Sequence, residues 1–124
     1  MFLNKIDIVT VNVSDMTRSV RFYRDVLGFT VMKQSPHISV LSLGDNPKLA
    51  LHRGIARKSE IDSHVAGIAS IGFVVENLDK TVEELKAKGA TFLGAPSSRG
   101  TSIVVDLADP DGFRITNSSQ LAKQ

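Results

Sequence analysis

The amino-acid sequence contains no cysteine and no tryptophan among its 124 residues. Without cysteine the chain has no disulfide, no thiolate metal site and no cysteine nucleophile, and a cytoplasmic protein is expected. No apolar run approaches the length that a bilayer requires, so we expect no membrane partner. Glycine-rich phosphate loops, dinucleotide fingerprints and a Ser-His-Asp set are also missing from the sequence.

A strong excess of charge of one sign is missing as well. Lysine and arginine number 15 against 13 aspartates and glutamates, which gives a net charge of +2. Aromatic residues make up only 6% of the chain, whereas a nucleic-acid site needs several phosphate contacts on one face together with aromatic stacking partners. We therefore interpret the basic side chains as solvated surface and expect no nucleic-acid partner.

The two halves of the sequence repeat one pattern, in which an apolar strand, a polar turn, an amphipathic helix and a glycine follow one another. The apolar positions of the two helices correspond in order, with Met16, Val20 and Tyr23 in the first copy and Leu78, Val82 and Leu85 in the second. Internal repetition of this kind indicates two copies of one structural unit. We expect a single domain over residues 1–124, with module 1 at about 5–53, a linker at 54–67 and module 2 at about 68–118.

Each module is predicted to contain one strand, one helix and three further strands. Alternation of apolar and polar residues predicts strands at 6–13, 29–34, 38–43 and 48–53, then at Ser70–Glu76, 90–95, 101–108 and 112–117. Asp15 and Asn77 are predicted N-caps of the two helices, and Gly28 is predicted to end the first. The pattern predicts an α+β fold of two βαβββ modules that form a cup-shaped, mostly antiparallel curved sheet with the helices outside.

Three segments carry a resemblance to a known family, namely Val11–Asp15, Arg21–Phe29 and Asp109–Phe113. They resemble the vicinal oxygen chelate superfamily, which includes glyoxalase I, bleomycin-resistance proteins, fosfomycin-resistance enzymes and extradiol dioxygenases. The resemblance implies the fold just described, a small-molecule site in the cup between the modules, and a homodimer in which modules can be swapped. It does not identify the function, because members of the family act on different molecules.

The resemblance also implies four positions for a metal site, on the inner faces of the first and last strands of each module. In this sequence these positions are Ile8 and Ser70 on the first strands, and His52 and Thr116 on the last strands. Ile8 has no donor atom and neutral hydroxyls are poor ligands, whereas catalytic zinc or iron needs about three His, Asp, Glu or Cys ligands. We therefore expect no metal and no other cofactor. A divalent metal held by His52 and Asp106 is the alternative.

Alternation along the strands places further polar residues on the same inner faces. His52 and Asp106 form a candidate acid–base pair in which His52 is the candidate catalytic base. Lys48 and Arg114 are candidate contacts to an anionic substrate, although an ion pair between Asp106 and Arg114 on adjoining strands explains those two residues equally well. The candidate ligand-binding residues are Thr10, Asn12, Lys48, His52, Ser70, Asp106, Arg114 and Thr116.

Two classes of function fit these residues. The first is a metal-free protein that binds a small organic molecule in the cup, similar to the bleomycin-resistance proteins but without their acidic and aromatic surface. The second is a lyase, isomerase or dioxygenase of the same superfamily that uses a divalent metal or His52 as general base. We rank binding first, and the sequence leaves open whether any reaction is catalysed.

Overall fold

The computed structural model describes residues 3–54 and 70–120. These residues form two compact units, one from each half of the chain, and each unit is a mixed sheet with a helix against one face. The α+β fold class predicted from the sequence is confirmed. Neither α-helix in the two described ranges has the length and apolar character needed to cross a membrane.

The first unit contains β1 (Ile8–Val13), α1 (Met16–Arg21), a π-helical turn (Phe22–Val26), β2 (Thr30–Gln34), β3 (Ile38–Ser42) and β4 (Lys48–Arg53). The order of strands across this sheet is β1-β4-β3-β2. β1 runs parallel to β4, and the other neighbouring strands are antiparallel. The helix therefore connects β1 to the far edge of the sheet, and the chain returns to β1 through β3 and β4.

The first helix differs from the single α-helix predicted to run as far as Gly28. Asp15 caps its N-terminus as predicted, because the Asp15 Oδ1 accepts the backbone N–H of Arg18 at 3.0 Å. Beyond α1 the backbone widens into the π-helical turn, where Phe22 and Tyr23 are both buried with their rings edge to face at 5.1 Å. The π-helical turn therefore contributes two adjacent aromatic side chains to the core.

The second unit contains β5 (Ser70–Val74), α2 (Leu78–Ala87), β6 (Thr91–Phe92), β7 (Ser97–Arg99), β8 (Ser102–Ala108) and β9 (Arg114–Gln120). Its strand order is β5-β9-β8-β6, and β7 also pairs with β8. β5 runs parallel to β9, as β1 does to β4, so the two units share one topology. Asn77 caps α2 as predicted, with its Oδ1 accepting the N–H of Lys80 at 3.1 Å.

The edge strand predicted at 90–95 is limited to β6, and β7 is a further short strand beyond the predicted range. β6 pairs antiparallel with one end of β8 and β7 with the other end. Between β6 and β7 lie Gly94, which has no side chain to pack, and Pro96, which has no N–H to donate to the ladder. The second sheet consequently has five strands where the βαβββ pattern predicts four.

One face of each sheet packs against its helix and forms the core. Alternation along the strands predicts that apolar residues face the helices, and Val11, Val13, Leu49, Leu51 and Ile115 are buried there. Asn117, and Ser119 beyond the predicted end of the strand at residue 117, are buried on the same side of β9. The sequence predicts a purely apolar helix-facing side, and these two polar residues correct that prediction for the second sheet.

The opposite face of each sheet, the polar face, carries the candidate residues. In the first unit it carries Thr10, Asn12, Lys48, Ala50 and His52, and in the second it carries Ser70, Asp106, Arg114, Thr116 and Ser118.

Candidate functional site

The polar face of the first sheet carries the four candidate ligand residues of that half. Thr10 and Asn12 alternate along β1 with buried valines, and Lys48 and His52 alternate along β4 with buried leucines. The parallel register sets Thr10 beside Ala50 and Asn12 beside His52. Asn12 and His52 are therefore lateral neighbours, and Lys48 lies at the other end of β4.

The imidazole of His52 is the one histidine side chain on this face. Its Nδ1 atom is buried and has no hydrogen-bond partner among the residues that the structure describes. A buried polar atom without a partner is uncommon in folded proteins and is a candidate contact for a ligand. The predicted acid–base partner, Asp106, belongs to the other unit, and the pairing of the two side chains stays a prediction.

Lys48 contacts a carboxylate and borders a cavity. Its Nζ lies 3.7 Å from Oδ1 of Asp7, and both side chains are well exposed. The cavity, of about 600 Å³, lies at this end of the first sheet, and its lining includes Lys5, Met32, Asn46 and Lys48. Because its walls combine a thioether, an amide and ammonium groups, the cavity can contact both the apolar and the polar parts of an organic molecule.

Asp106 is the centre of the polar face of the second sheet. Its side chain is only 15% exposed, and its Oδ1 accepts a hydrogen bond from Oγ1 of Thr116 at 2.7 Å. The antiparallel register of β8 and β9 makes these two residues direct neighbours. The hydroxyl of Thr116 therefore donates its hydrogen bond to a partly buried carboxylate.

Two arginines approach the other oxygen of the same carboxylate. Nη1 of Arg114 lies 3.8 Å from Oδ2 of Asp106, which is the cross-strand ion pair predicted as one of two alternatives. Nη2 of Arg99 lies 3.5 Å from the same oxygen. Ser70 is the lateral neighbour of Arg114 on β5. The second sheet thus brings together its four candidate residues and adds Arg99.

Arg99 is not among the candidate residues predicted from the sequence. It precedes Gly100, which has a φ of 61°, and it pairs with Ser102 across a two-residue turn. Glycine in the first central position is typical of tight hairpin turns, so the Arg-Gly-Thr-Ser sequence holds a signal for a hairpin there. The contact with Asp106, however, depends on the register between β7 and β8.

The strand register also determines which positions of the two units are equivalent. Thr10 and Gly72 correspond in the sequence repeat, and their lateral neighbours on the last strands are Ala50 and Thr116 respectively. Ala50 is therefore the counterpart of Thr116 in the first unit. His52 lies two residues farther along β4, on the same face.

These positions do not provide the donors that a catalytic metal ion needs. Ile8 and Ala50 have no donor atom, and the Thr116 hydroxyl is bonded to Asp106. His52 is four residues along β4 from the lateral neighbour of Ile8, about 13 Å at the usual rise of a strand. Within the described ranges, no three His, Cys, Asp or Glu side chains are grouped so that they could hold a metal. The donor set therefore does not fit the metal site that the resemblance implies.

Comparison with known proteins gives a consistent fold assignment. The sequence profile of the Glyoxalase/Bleomycin resistance protein/Dioxygenase superfamily matches residues 5–116. A lactoylglutathione lyase of Haemophilus influenzae is 28% identical over 112 residues, which cover 83% of this chain and 83% of that protein.

Solved structures resemble this chain over nearly its whole length. The virulence protein STM3117 of Salmonella typhimurium superimposes with a TM-score of 0.76 at 26% identity, covering 98% of this chain and 100% of that one. TnmS3, an antibiotic binding protein of Streptomyces sp. CB03234, gives a TM-score of 0.78 at 17% identity and covers 97% of this chain and 98% of its own. At that identity, the likeness to TnmS3 concerns the fold alone.

Proposed function

This chain belongs to the glyoxalase/bleomycin resistance protein/dioxygenase superfamily, and we propose that it is a metal-free member that binds a small organic molecule. The ligand contacts would come from the polar faces of the two sheets. The proposed contact residues are Thr10, Asn12, Lys48 and His52 in the first unit and Ser70, Asp106, Arg114 and Thr116 in the second.

The observation that carries this proposal is the replacement of metal donors by groups suited to an organic ligand. Ile8, Ala50, Ser70 and Thr116 cannot complete a site of about three strong ligands. The polar faces carry hydroxyl, amide, imidazole and guanidinium groups beside apolar side chains such as Val40 and Val104. A few fixed polar groups around a concave or partly apolar surface are typical of sites for small molecules.

Elemental analysis of the purified protein, followed by calorimetric titration with Zn²⁺, Ni²⁺, Mn²⁺ and Fe²⁺, tests the metal-free part of the proposal. We expect no stoichiometric ion and no binding at submicromolar affinity, because a single imidazole does not compete with water for a divalent ion. A stoichiometric ion that is lost in His52→Ala would contradict the proposal.

A titration of ¹⁵N-labelled protein with neutral and charged organic fragments, followed by amide chemical shifts, tests the binding part. We expect the shifts to concentrate on the strand residues of the polar faces, and Asn12→Ala to weaken binding of fragments that perturb β1. Thr17→Ala, an exposed change on α1, is the matched control. Shifts confined to the helices, or no binding by any fragment, would count against the proposal.

A second candidate function is metal-free proton transfer by His52. The buried Nδ1 atom without a described partner favours it, and the lactoylglutathione lyase named above indicates that enzymes occur among the relatives. In D₂O, a base at this position should exchange carbon-bound hydrogen of a bound carbonyl fragment for deuterium. Exchange that disappears in His52→Gln but persists in His37→Gln supports catalysis, and wild-type protein without exchange argues for binding alone.

A homodimer, which the family resemblance implies, is also part of the proposal. Large apolar side chains that are exposed in each unit support it, among them Leu3, Ile6 and Met32 in the first and Val74 and Leu93 in the second. The proposal requires that these side chains form a contiguous apolar patch, since such a patch marks an interaction site. Sedimentation at micromolar concentration should give twice the mass of one chain, and a single species of one chain's mass would contradict the dimer.

A further inference from the structure

We propose that Arg99 and Arg114 bind the carboxylate group of an organic ligand, with Asp106 as the residue that positions both guanidinium groups. This inference rests on the proposed function, since it takes the polar face of the second sheet as a ligand-binding surface. It goes further by naming the chemical class of the ligand and by adding Arg99, a residue outside the candidate set.

The geometry of the cluster places two cations around one anion. Arg99 on β7 and Arg114 on β9 lie on opposite sides of β8, which carries Asp106. Both guanidinium groups face the same oxygen, Oδ2, at 3.5 and 3.8 Å. The other oxygen, Oδ1, accepts the hydrogen bond of Thr116. Thr116 thereby fixes Oδ1 of the carboxylate, and the two guanidinium groups share Oδ2.

Neither arginine is saturated by this carboxylate. A charge-assisted N–H···O bond is usually about 2.7–2.9 Å long, so the two separations to Oδ2 are ion-pair contacts longer than direct hydrogen bonds. A guanidinium group carries five N–H donors, and one shared carboxylate oxygen engages few of them. The side chains of Arg99 and Arg114 are 58% and 53% exposed, which leaves the remaining donors accessible to a ligand.

The charge of the cluster favours a monoanion. Two guanidinium groups and one carboxylate leave an excess of one positive charge, which a single ligand carboxylate neutralises. The planar fork of arginine also matches the two oxygens of a carboxylate. Phosphate near neutral pH carries more than one negative charge and would leave the cluster with an excess of negative charge, so a carboxylate is the better match.

The surroundings of the cluster leave room and supply further donors. Gly72 is the lateral neighbour of Thr116, and a Cβ built on it would meet only the Thr116 carbonyl oxygen, at 3.9 Å. The surface beside the carboxylate is therefore unfilled by a side chain on β5. Ser70, next to Arg114, and Ser118, farther along β9, add hydroxyl groups on the same face.

Benzoate and benzamide, which share size and shape but differ in charge, are suitable probes for this site. Titration of the full chain, followed by the Nε–H signals of the arginines, should show benzoate binding at least about tenfold more tightly than benzamide. Arg99→Gln and Arg114→Gln should each weaken benzoate binding about fivefold or more. Arg53→Gln, an exposed arginine of the first sheet, is the matched control and should change nothing.

The variant Asp106→Asn distinguishes positioning from simple charge. Removal of the carboxylate makes the cluster more positive, so a purely coulombic role predicts tighter binding of benzoate. The proposal expects binding to weaken about threefold or more, because the two guanidinium groups lose their common anchor. Tighter binding in Asp106→Asn would overturn the positioning role.

Three further outcomes would overturn the inference. These are equal affinity for benzoate and benzamide, unchanged benzoate binding in both arginine variants, and inorganic phosphate binding more tightly than benzoate. If neutral fragments still bind the polar faces in any of these cases, the proposed function stands and only the carboxylate site fails. If no fragment of any charge binds, the proposed function itself fails.

Discussion

The carboxylate of Asp109 organises the turn between β8 and β9. Its side chain is buried, and its Oδ1 accepts the backbone N–H groups of Asp111 at 2.9 Å and Phe113 at 2.8 Å. The Asp-Pro-Asp-Gly sequence predicts a tight turn from proline and glycine alone. The structure adds a side chain that satisfies two backbone donors, which makes the turn depend on this residue.

Replacing Asp109 by alanine should lower the free energy of unfolding by about 2–3 kcal/mol, because two N–H groups in a partly buried turn lose their acceptor. Urea denaturation measures the change. Asp45→Ala, in the exposed turn before β4, is the control and should stay within about 0.5 kcal/mol of wild type. Equal effects of the two substitutions would contradict this role of Asp109.

The hydrogen bond from Thr116 to Asp106 should also be measurable by itself. Thr116→Val keeps the shape of the side chain but removes the donor to a carboxylate that is 15% exposed, so we expect a loss of about 1–2 kcal/mol. Thr116→Ser retains the hydroxyl and should lose less. A valine variant as stable as the serine variant would indicate that the bond contributes nothing.

At the scale of elements, the two helices begin by the same device at equivalent positions of the repeat. Asp15 accepts the N–H of Arg18 at 3.0 Å, and Asn77 accepts the N–H of Lys80 at 3.1 Å. The helices then diverge. α2 continues as a regular helix to Ala87, whereas α1 gives way to the π-helical turn that buries two aromatic rings.

Removal of either cap should destabilise the protein by similar amounts. Asp15→Ala and Asn77→Ala should each lower the free energy of unfolding by about 1 kcal/mol, since each leaves a first-turn N–H without its acceptor. Asp15→Asn and Asn77→Asp preserve the acceptor and serve as matched controls in the same denaturation experiment. A cap variant indistinguishable from its conservative control would show that the cap is not needed there.

At the scale of the whole molecule, the repeat keeps one topology but carries different chemistry in its two copies. The polar face of the first sheet has an imidazole and an ammonium group, and that of the second has a carboxylate between two guanidinium groups. Equivalent positions that could both hold a metal ligand instead hold Ala50 and Thr116. This asymmetry fits recognition of an organic molecule better than symmetric coordination of an ion.

Metal removal should therefore leave the stability of the protein unchanged. Dialysis against EDTA, and addition of Zn²⁺ or Ni²⁺ afterwards, should shift the Tm by no more than about 1 °C, because only a ligand that binds the folded state stabilises it. Differential scanning calorimetry measures the shift. A Tm that falls with EDTA and recovers with one ion would point to a metal site and against the proposed function.

The sequence by itself determined the fold class, the helix N-caps and the face on which the candidate residues of the strands lie. These features are local, since alternation along a strand and the polar residue before a helix depend only on near neighbours in the chain. The candidate polar residues of both faces followed from the same alternation. The resemblance of three short segments was sufficient to identify the superfamily.

Only the tertiary structure decided which of those residues are neighbours. A shift of two residues in strand register keeps every side chain on its own face, so the sequence could not distinguish Ala50 from His52 as the counterpart of Thr116. The contact of Arg99 with Asp106 and the short extent of β6 likewise depend on the register in which β7 and β6 pair with β8. Local patterns fix the face of a residue, and the register between paired strands fixes its partners.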